Sequence, residues 1–450
     1  MAATLTPTPG SERIAVLDTT RGIAVLGILL MNIVGFGLPY AYEDPTNWGG
    51  SDGANLAVWR INSLLFEGTM RGLFTLLFGA GVILFLQRHA SAGPDVRPAR
   101  VYFRRTAWLI VFGLVNGYIL LWDGDILFYY GVIGLLLYFF RNLSAPKLIA
   151  AGALVLALQT SVSIGEYATY ARLRDDARVA AAAEAQGEAL TIDQQIALQL
   201  YDEGQYEIKP TQQQLEYAVR TVRRSYESAF WHIGQRTWNV QTKYFIVHGF
   251  GDVLGMMLLG MAFLKLGVLT GVAPIRTYAW MTAIGYALGL SINAFEIAQL
   301  EREHFSADML VASYLTYDAG RVAMTLGHVG AIMLVYRFHL FARAQRVLAY
   351  VGRMALTNYM SQSVICMFLF TGAGLAWYGQ LQRYELYYVV LAIWIAQLVW
   401  STAWLRHFQQ GPLEWLWRRL TYGRRRPAAV PIAIDNPAST ESPRDTAVDG

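Results

Sequence analysis

The chain of 450 residues is 55% hydrophobic, 13% aromatic and only 15% charged, where a soluble domain carries about a quarter charged residues. Its net charge of +4 gives no nucleic-acid surface, because the lysines and arginines fall between apolar runs, where a positive-inside bias puts them. The single Cys366 excludes an intramolecular disulfide and a cysteine metal site.

Taken in order, residues 1–14 read as a disordered, Pro-containing start. Residues 15–38 form the first span; it lacks a small-residue cleavage site and reads as an uncleaved helix. Pro39–Gly53 is turn-rich. A helix begins near Ala54 and becomes span two at 71–87. The next loop carries Arg88, Arg97, Arg100, Arg104 and Arg105 and is therefore cytoplasmic. Spans three to five follow at 106–122, 126–140 and 147–164, and complete an N-terminal bundle over 15–164. Residues 165–241 are Ala-, Gln- and Glu-rich. Thr191-Ile-Asp-Gln194 has capping-box spacing, so this stretch reads as an extramembrane helical insertion. Spans six to ten lie at 243–264, 277–297, 311–336, 355–377 and 385–404, within a C-terminal bundle over 242–423. Residues 413–420, LEWLWRRL, are amphipathic and suit the inner surface. The tail, 424–450, lacks periodicity and reads as disordered. The expected fold is all-α: a polytopic helical membrane protein of about ten spans, its partner the lipid bilayer. Every even-numbered span exits into a basic loop, so both termini are expected in the cytoplasm and the insertion outside.

Ionisable groups within spans mark function more often than those in soluble cores. Asp18, Arg21 and Asn32 share one face of span one, since eleven residues make almost three turns. Glu67 and Arg71 stand one turn apart at the entrance to span two, as do His248 and Asp252 in span six, where a carboxylate would orient the imidazole. Asp318, Arg321, Thr325 and His328 line one side of span eight, and Asn358, Ser361 and Gln362 one side of span nine. Asp123 and Asp125 sit in the turn after span three. By expected depth, Asn32, Glu67, Arg71, His248, Asp252, Asp318 and Arg321 surround a polar cavity open to the outer face. Asp18, Arg21, Arg104 and Arg105 lie at the inner face, where arginines meet anions well. GxSxG, HExxH, P-loop and dinucleotide-binding patterns are absent from the sequence.

The stretches LDTTRGIAVLGILLMNI (17–33), FTLLFGAG (74–81), WDGDIL (122–127), GMMLLGMA (255–262), GRMALTNYMSQSVIC (352–366) and GPLEWLWRRLTYG (411–423) resemble the YeiB-like family of bacterial inner-membrane proteins, which carries domain of unknown function 418. The N-terminal half is also similar to the transmembrane acyltransferase superfamily, through Arg21-Gly22 and Arg104-Arg105. That resemblance implies a bacterial inner-membrane location and a membrane O-acyltransferase. It would take an acyl group from cytosolic acyl-CoA, a donor rather than a tightly bound cofactor, to an envelope glycan or lipid. The resemblance assigns Arg21, Arg104 and Arg105 to the donor, and Asp18 joins them by its expected place at the inner face. Asn32, Glu67, Arg71, Asp123, Asp125, Asp318, Arg321, Asn358 and Gln362 would then meet the acceptor. One branch of the superfamily has a histidine eleven residues after the first arginine, where this chain has Asn32. An amide is no general base, which leaves His248, held by Asp252, as the expected base and His328 as the second candidate. The rival expectation is a transporter or flippase in which the same charged groups form a substrate path.

Overall fold

The computed structural model describes residues 14–90 and 98–422. The expected disordered start up to residue 13, Arg97 and the expected tail lie outside the described residues. The regular elements described are all helices. They are α1 (Ala15–Gly37), α2 (Gly53–Leu65), α3 (Thr69–Ala90), α4 (Pro98–Leu114), α5 (Leu127–Phe140), α6 (Ala145–Ala185), α7 (Ile192–Ile208), α8 (Gln212–Arg224) and α9 (Tyr226–Asn239). Then come α10 (Phe250–Lys265), α11 (Ile275–Arg302), α12 (Ala307–Arg337), α13 (Ala342–Arg353), α14 (Ala355–Phe370), α15 (Leu386–His407) and α16 (Pro412–Tyr422). Two π-helical stretches intervene, Val115–Ile119 after α4 and Val240–Gly249 between α9 and α10. Seven of the ten expected spans are, among the described residues, long and apolar enough to cross a bilayer core. Leu127–Phe140 and Ala355–Phe370 are apolar but shorter.

Burial sorts the helices. α1 is buried nearly all round, with Val16, Ala24, Ile28, Leu29 and Ile33 in the core. α11 instead presents Trp280, Ile284, Leu288 and Phe295 outward, as a lipid-facing helix must. Close crossings use glycine. A Cβ on Gly22 would overlap the carbonyl of Leu348 in α13, and one on Gly352 the carbonyl of Asp18. The glycine of the Arg-Gly pair therefore lets α1 and α13 touch backbone to backbone. The GPLEWLWRRL segment serves GRMALTNYMSQS directly. Glu414 Oε1 accepts from the N–H groups of Leu356 (2.7 Å) and Thr357 (3.1 Å), and Oε2 from the Thr357 hydroxyl (2.6 Å). It caps the first turn of α14, whose N–H groups have no intrahelical acceptor.

The insertion is not a separate body. Its first helix, α6, runs through residue 164 without a break for 41 residues, about 60 Å at 1.5 Å per residue. That is twice a hydrocarbon core, so half of it stands beyond the membrane. At the other boundary, Tyr226–Lys265 is one continuous helical rod, and the expected break near residue 241 is absent. Thr191 and Gln194 form the expected capping box, and Thr211 and Gln214 a second. The projecting parts of α6 to α9 fold over one end of the bundle as a roof. Lys209 Nζ meets Asp44 Oδ2 at 2.9 Å, Arg178 meets Asp308 at 3.3 Å, and the Tyr170 hydroxyl donates to Asp308 at 2.8 Å. Gly372 N–H donates to Val222 O at 2.9 Å. The opposite end carries the basic connections: Lys265 Nζ donates to the carbonyls of Arg141 and Leu143, and Arg353 to that of Gln409.

Candidate functional site

Beneath the roof the structure gathers charged residues from five α-helices, the second π-helical stretch and two loops into two adjoining groups. The first is a closed ion cluster. Arg71 Nη1 meets Asp252 Oδ2 at 2.7 Å, Arg321 Nη1 meets Asp252 Oδ1 at 2.5 Å, and Arg321 Nη2 meets Asp318 Oδ1 at 2.9 Å. Arg321 is 2% exposed. Two arginines against two aspartates leave no net charge, as burial requires. Gly68, at φ +62°, permits the contact: a Cβ there would strike Arg321 and the Tyr317 hydroxyl.

The second group lines a cavity. Glu67 Oε1 accepts from the hydroxyls of Tyr42 (3.2 Å) and Tyr317 (3.3 Å), and Glu43 Oε1 accepts from Tyr314 (2.7 Å). The His248 ring lies 4.9 Å from Tyr244 and 5.8 Å, stacked, from Tyr314. Its Nε2 is 3.4 Å from Glu166 Oε2, on the projecting part of α6. Tyr42 and Tyr244 keep 36% and 42% of their surface exposed while protein surrounds them. Exposed surface within dense protein is the mark of a water-accessible cavity wall. Glu43 shares this setting: burial pushes its carboxyl up, and the Tyr314 hydroxyl and His248 pull the other way. Glu296, bonded by the Thr316 hydroxyl at 3.0 Å, lies within electrostatic reach of Glu43 and Glu67.

Two expected pairings do not form. Glu67 does not pair with Arg71, because Phe66–Gly68 break the helix between them and remove the one-turn spacing. Asp252 does not hold His248. The π-helical stretch wraps an extra residue into each turn, so side chains four apart no longer stack; His248 turns to Glu166 and Asp252 to the arginines. His328 is set apart: Nδ1 bonds its own helix at Met324 O (2.9 Å), and its ring lies between Phe66 and Tyr286.

The remaining candidates find partners elsewhere. Asp123 pairs with Arg236 at 2.7 Å, under the roof. Asp125 accepts from Asn116 and from Phe128 N–H, both at 2.8 Å, at the start of α5. Burial pushes its carboxyl up to about 7 against those bonds. Asn358 bonds Ser401 and Trp400, and Gln362 bonds Gln397 and Val25 O; all lie in the α1–α14–α15 interface. Asn32 is half-buried and makes no side-chain hydrogen bond to the described residues. At the basic end, Arg21 pairs with Asp18 at 2.8 Å. Arg105 stacks over Trp417 (4.2 Å) and Phe85 (5.0 Å), and Arg104 is exposed. The expected four-residue donor site is thus an internal pair, a stacked arginine and a surface arginine.

Sequence reasoning missed Tyr42, Glu43, Glu166, Tyr244, Glu296, Tyr314 and Tyr317. The tyrosines at 314 and 317 lie two turns and one turn before Arg321 on α12, and that spacing was the available signal. Glu43 and Glu166 come from a loop and from the insertion, where no periodicity points inward. No group forms a metal-ligand cluster among the described residues.

Residues 263–424 match the family described as "Protein of unknown function (DUF418)", a stretch that holds Glu296, Tyr314, Tyr317, Asp318 and Arg321. The chain is 32% identical over 422 residues to "Uncharacterized protein YeiB" of Escherichia coli (strain K12), covering 93% of this chain and 98% of that one. It is 29% identical over 438 residues to "Uncharacterized protein YxaH" of Bacillus subtilis (strain 168), covering 93% and 97%. No solved structure matches it. With a relative so similar from end to end, this membrane protein belongs to the YeiB-like, DUF418 family.

Proposed function

We propose that the chain is an acyltransferase of the bacterial inner membrane that passes an acyl group from cytosolic acyl-CoA to an acceptor on an envelope glycan or lipid. The observation that carries this reading is the His248–Glu166 pair at the cavity wall. A carboxylate at Nε2 favours the proton there and leaves Nδ1 as the acceptor; no described protein group occupies Nδ1. In the proposed step, Nδ1 takes the proton of the acceptor's nucleophile. The freed lone pair attacks the thioester carbonyl carbon, the carbon–sulfur bond breaks, and the thiolate leaves with the proton relayed from His248. The positive-inside pattern orients the roofed end outward, toward envelope acceptors, and brings the donor from the basic end. The resemblance of Arg21-Gly22 and Arg104-Arg105 to the acyltransferase superfamily adds to this.

The test is transfer of radiolabel from acetyl-CoA, added to the full chain in proteoliposomes with an envelope glycan and lipid extract. Label in the extract that disappears with His248→Ala supports acyl transfer. No label from short- or long-chain acyl-CoA overturns it. A transporter is the second reading, favoured by the buried Arg71–Asp252–Arg321–Asp318 cluster, since intramembrane ion clusters often line substrate paths.

A further inference from the structure

The charges around the cavity do not balance. Arg71 and Arg321 are consumed by Asp252 and Asp318. What remains at the cavity is Glu43, Glu67, Glu166 and Glu296, more carboxylates than the imidazole of His248 and the charge of Arg71, which reaches Glu67 from the cluster, offset. The walls between these carboxylates are the rings of Tyr42, Tyr244, Tyr314 and Tyr317. Of the Glu43 and Glu67 oxygens, Oε1 takes tyrosine hydroxyls, while Oε2 of each accepts no hydrogen bond from a described residue.

We infer that the acceptor taken by this cavity bears a protonated primary amine, held between Glu43 and Glu67 and faced by the tyrosine rings. Aromatic faces attract cations electrostatically, and carboxylates with spare lone pairs supply the charge-assisted hydrogen bonds that an ammonium makes in three directions. A neutral hydroxyl in the same place would leave the carboxylates uncompensated. An amino sugar and an aminoethyl phosphate headgroup share this chemistry. The inference rests on the cavity being the acceptor site of the proposed transfer, and it adds the substrate class.

The experiment measures binding to the purified full chain by thermal shift and calorimetry, using isosteric pairs: glucosamine against glucose, and phosphoethanolamine against 2-hydroxyethyl phosphate. At least one amine should bind about tenfold or more tightly than its hydroxyl counterpart, and which pair shows the difference names the glycan or the headgroup. Glu43→Gln and Glu67→Gln should each cut that preference severalfold, and the double variant should abolish it; added salt should weaken it. Equal binding within both pairs, no binding by either amine, or an undiminished preference in the double variant overturns the inference. If amine preference fails while label transfer still depends on His248, the amine is wrong and acyl transfer stands. If preference holds without label transfer, the cavity binds amines and the acyltransferase reading falls.

Discussion

The ion cluster and the tyrosine cavity are neighbours that share α12 and carry carboxylates alike, and they differ in how they are satisfied. In the cluster each aspartate meets an arginine and each arginine meets an aspartate at 2.5–2.9 Å. In the cavity the carboxylates meet tyrosine and threonine hydroxyls and one histidine, and the rings keep open surface. Intramembrane charge alone therefore does not identify a site. Charge that the protein itself cancels reads as architecture; charge that it leaves to rings and water reads as a place for a ligand.

That contrast breaks first at Asp252. Asp252→Ala takes from Arg71 its aspartate and leaves the buried Arg321 with Asp318 alone, and should cost about 3–5 kcal/mol. The expected readout is a collapse of the monodisperse peak in detergent and a large fall in melting temperature. A wild-type melting curve would erase the distinction. His248→Ala should do the opposite, losing about 10²–10⁴ in rate if it is the base while melting normally. Glu166→Gln should lose less, because it only sets the tautomer. Full activity in His248→Ala moves the chemistry elsewhere and favours the transporter.

Asp125 sharpens the contrast from the structural side. Its folded-state pKa, raised to about 7, lies above the usual carboxylate value near 4. The folded state thus holds a proton that the unfolded state has lost. Its contribution to stability is complete below about pH 4 and falls away as pH rises through about 7. Melting temperature should drop over that window, and Asp125→Asn should flatten the drop, since an amide keeps the neutral hydrogen-bonding form. An unchanged slope in Asp125→Asn contradicts this. Smallest is the stability effect of Glu43→Gln, within about 1 kcal/mol in either direction, because no buried charge loses its partner.

Much of the fold was legible and little of the site's wiring was. The helix of span one, the basic alternation of loops and the capping box at Thr191 follow from composition and local spacing, and that helix and that cap formed where expected. The residues of the ion cluster were legible too, because charge in an apolar run is conspicuous. Their partners were not. Pairing by one-turn spacing assumes unbroken α-helix, and here Gly68 interrupts one pair and a ten-residue π-helix rotates the other. Glu43 and Glu166 were invisible because their neighbours come from distant sequence. Asn358 and Gln362 stood out equally as polar groups, yet they bind helix to helix.

The most direct measurement compares the two regions in one chain. With Cys366→Ala as background, single cysteines at Tyr244, on the cavity wall, and at Thr325, fully buried beside the cluster, are exposed to cationic and anionic methanethiosulfonates of equal size. An open acidic cavity predicts that the Tyr244→Cys thiol reacts, and about tenfold faster with the cationic reagent, while the Thr325→Cys thiol does not react. Equal rates with both reagents at Tyr244→Cys, or reaction at Thr325→Cys alone, would contradict the account.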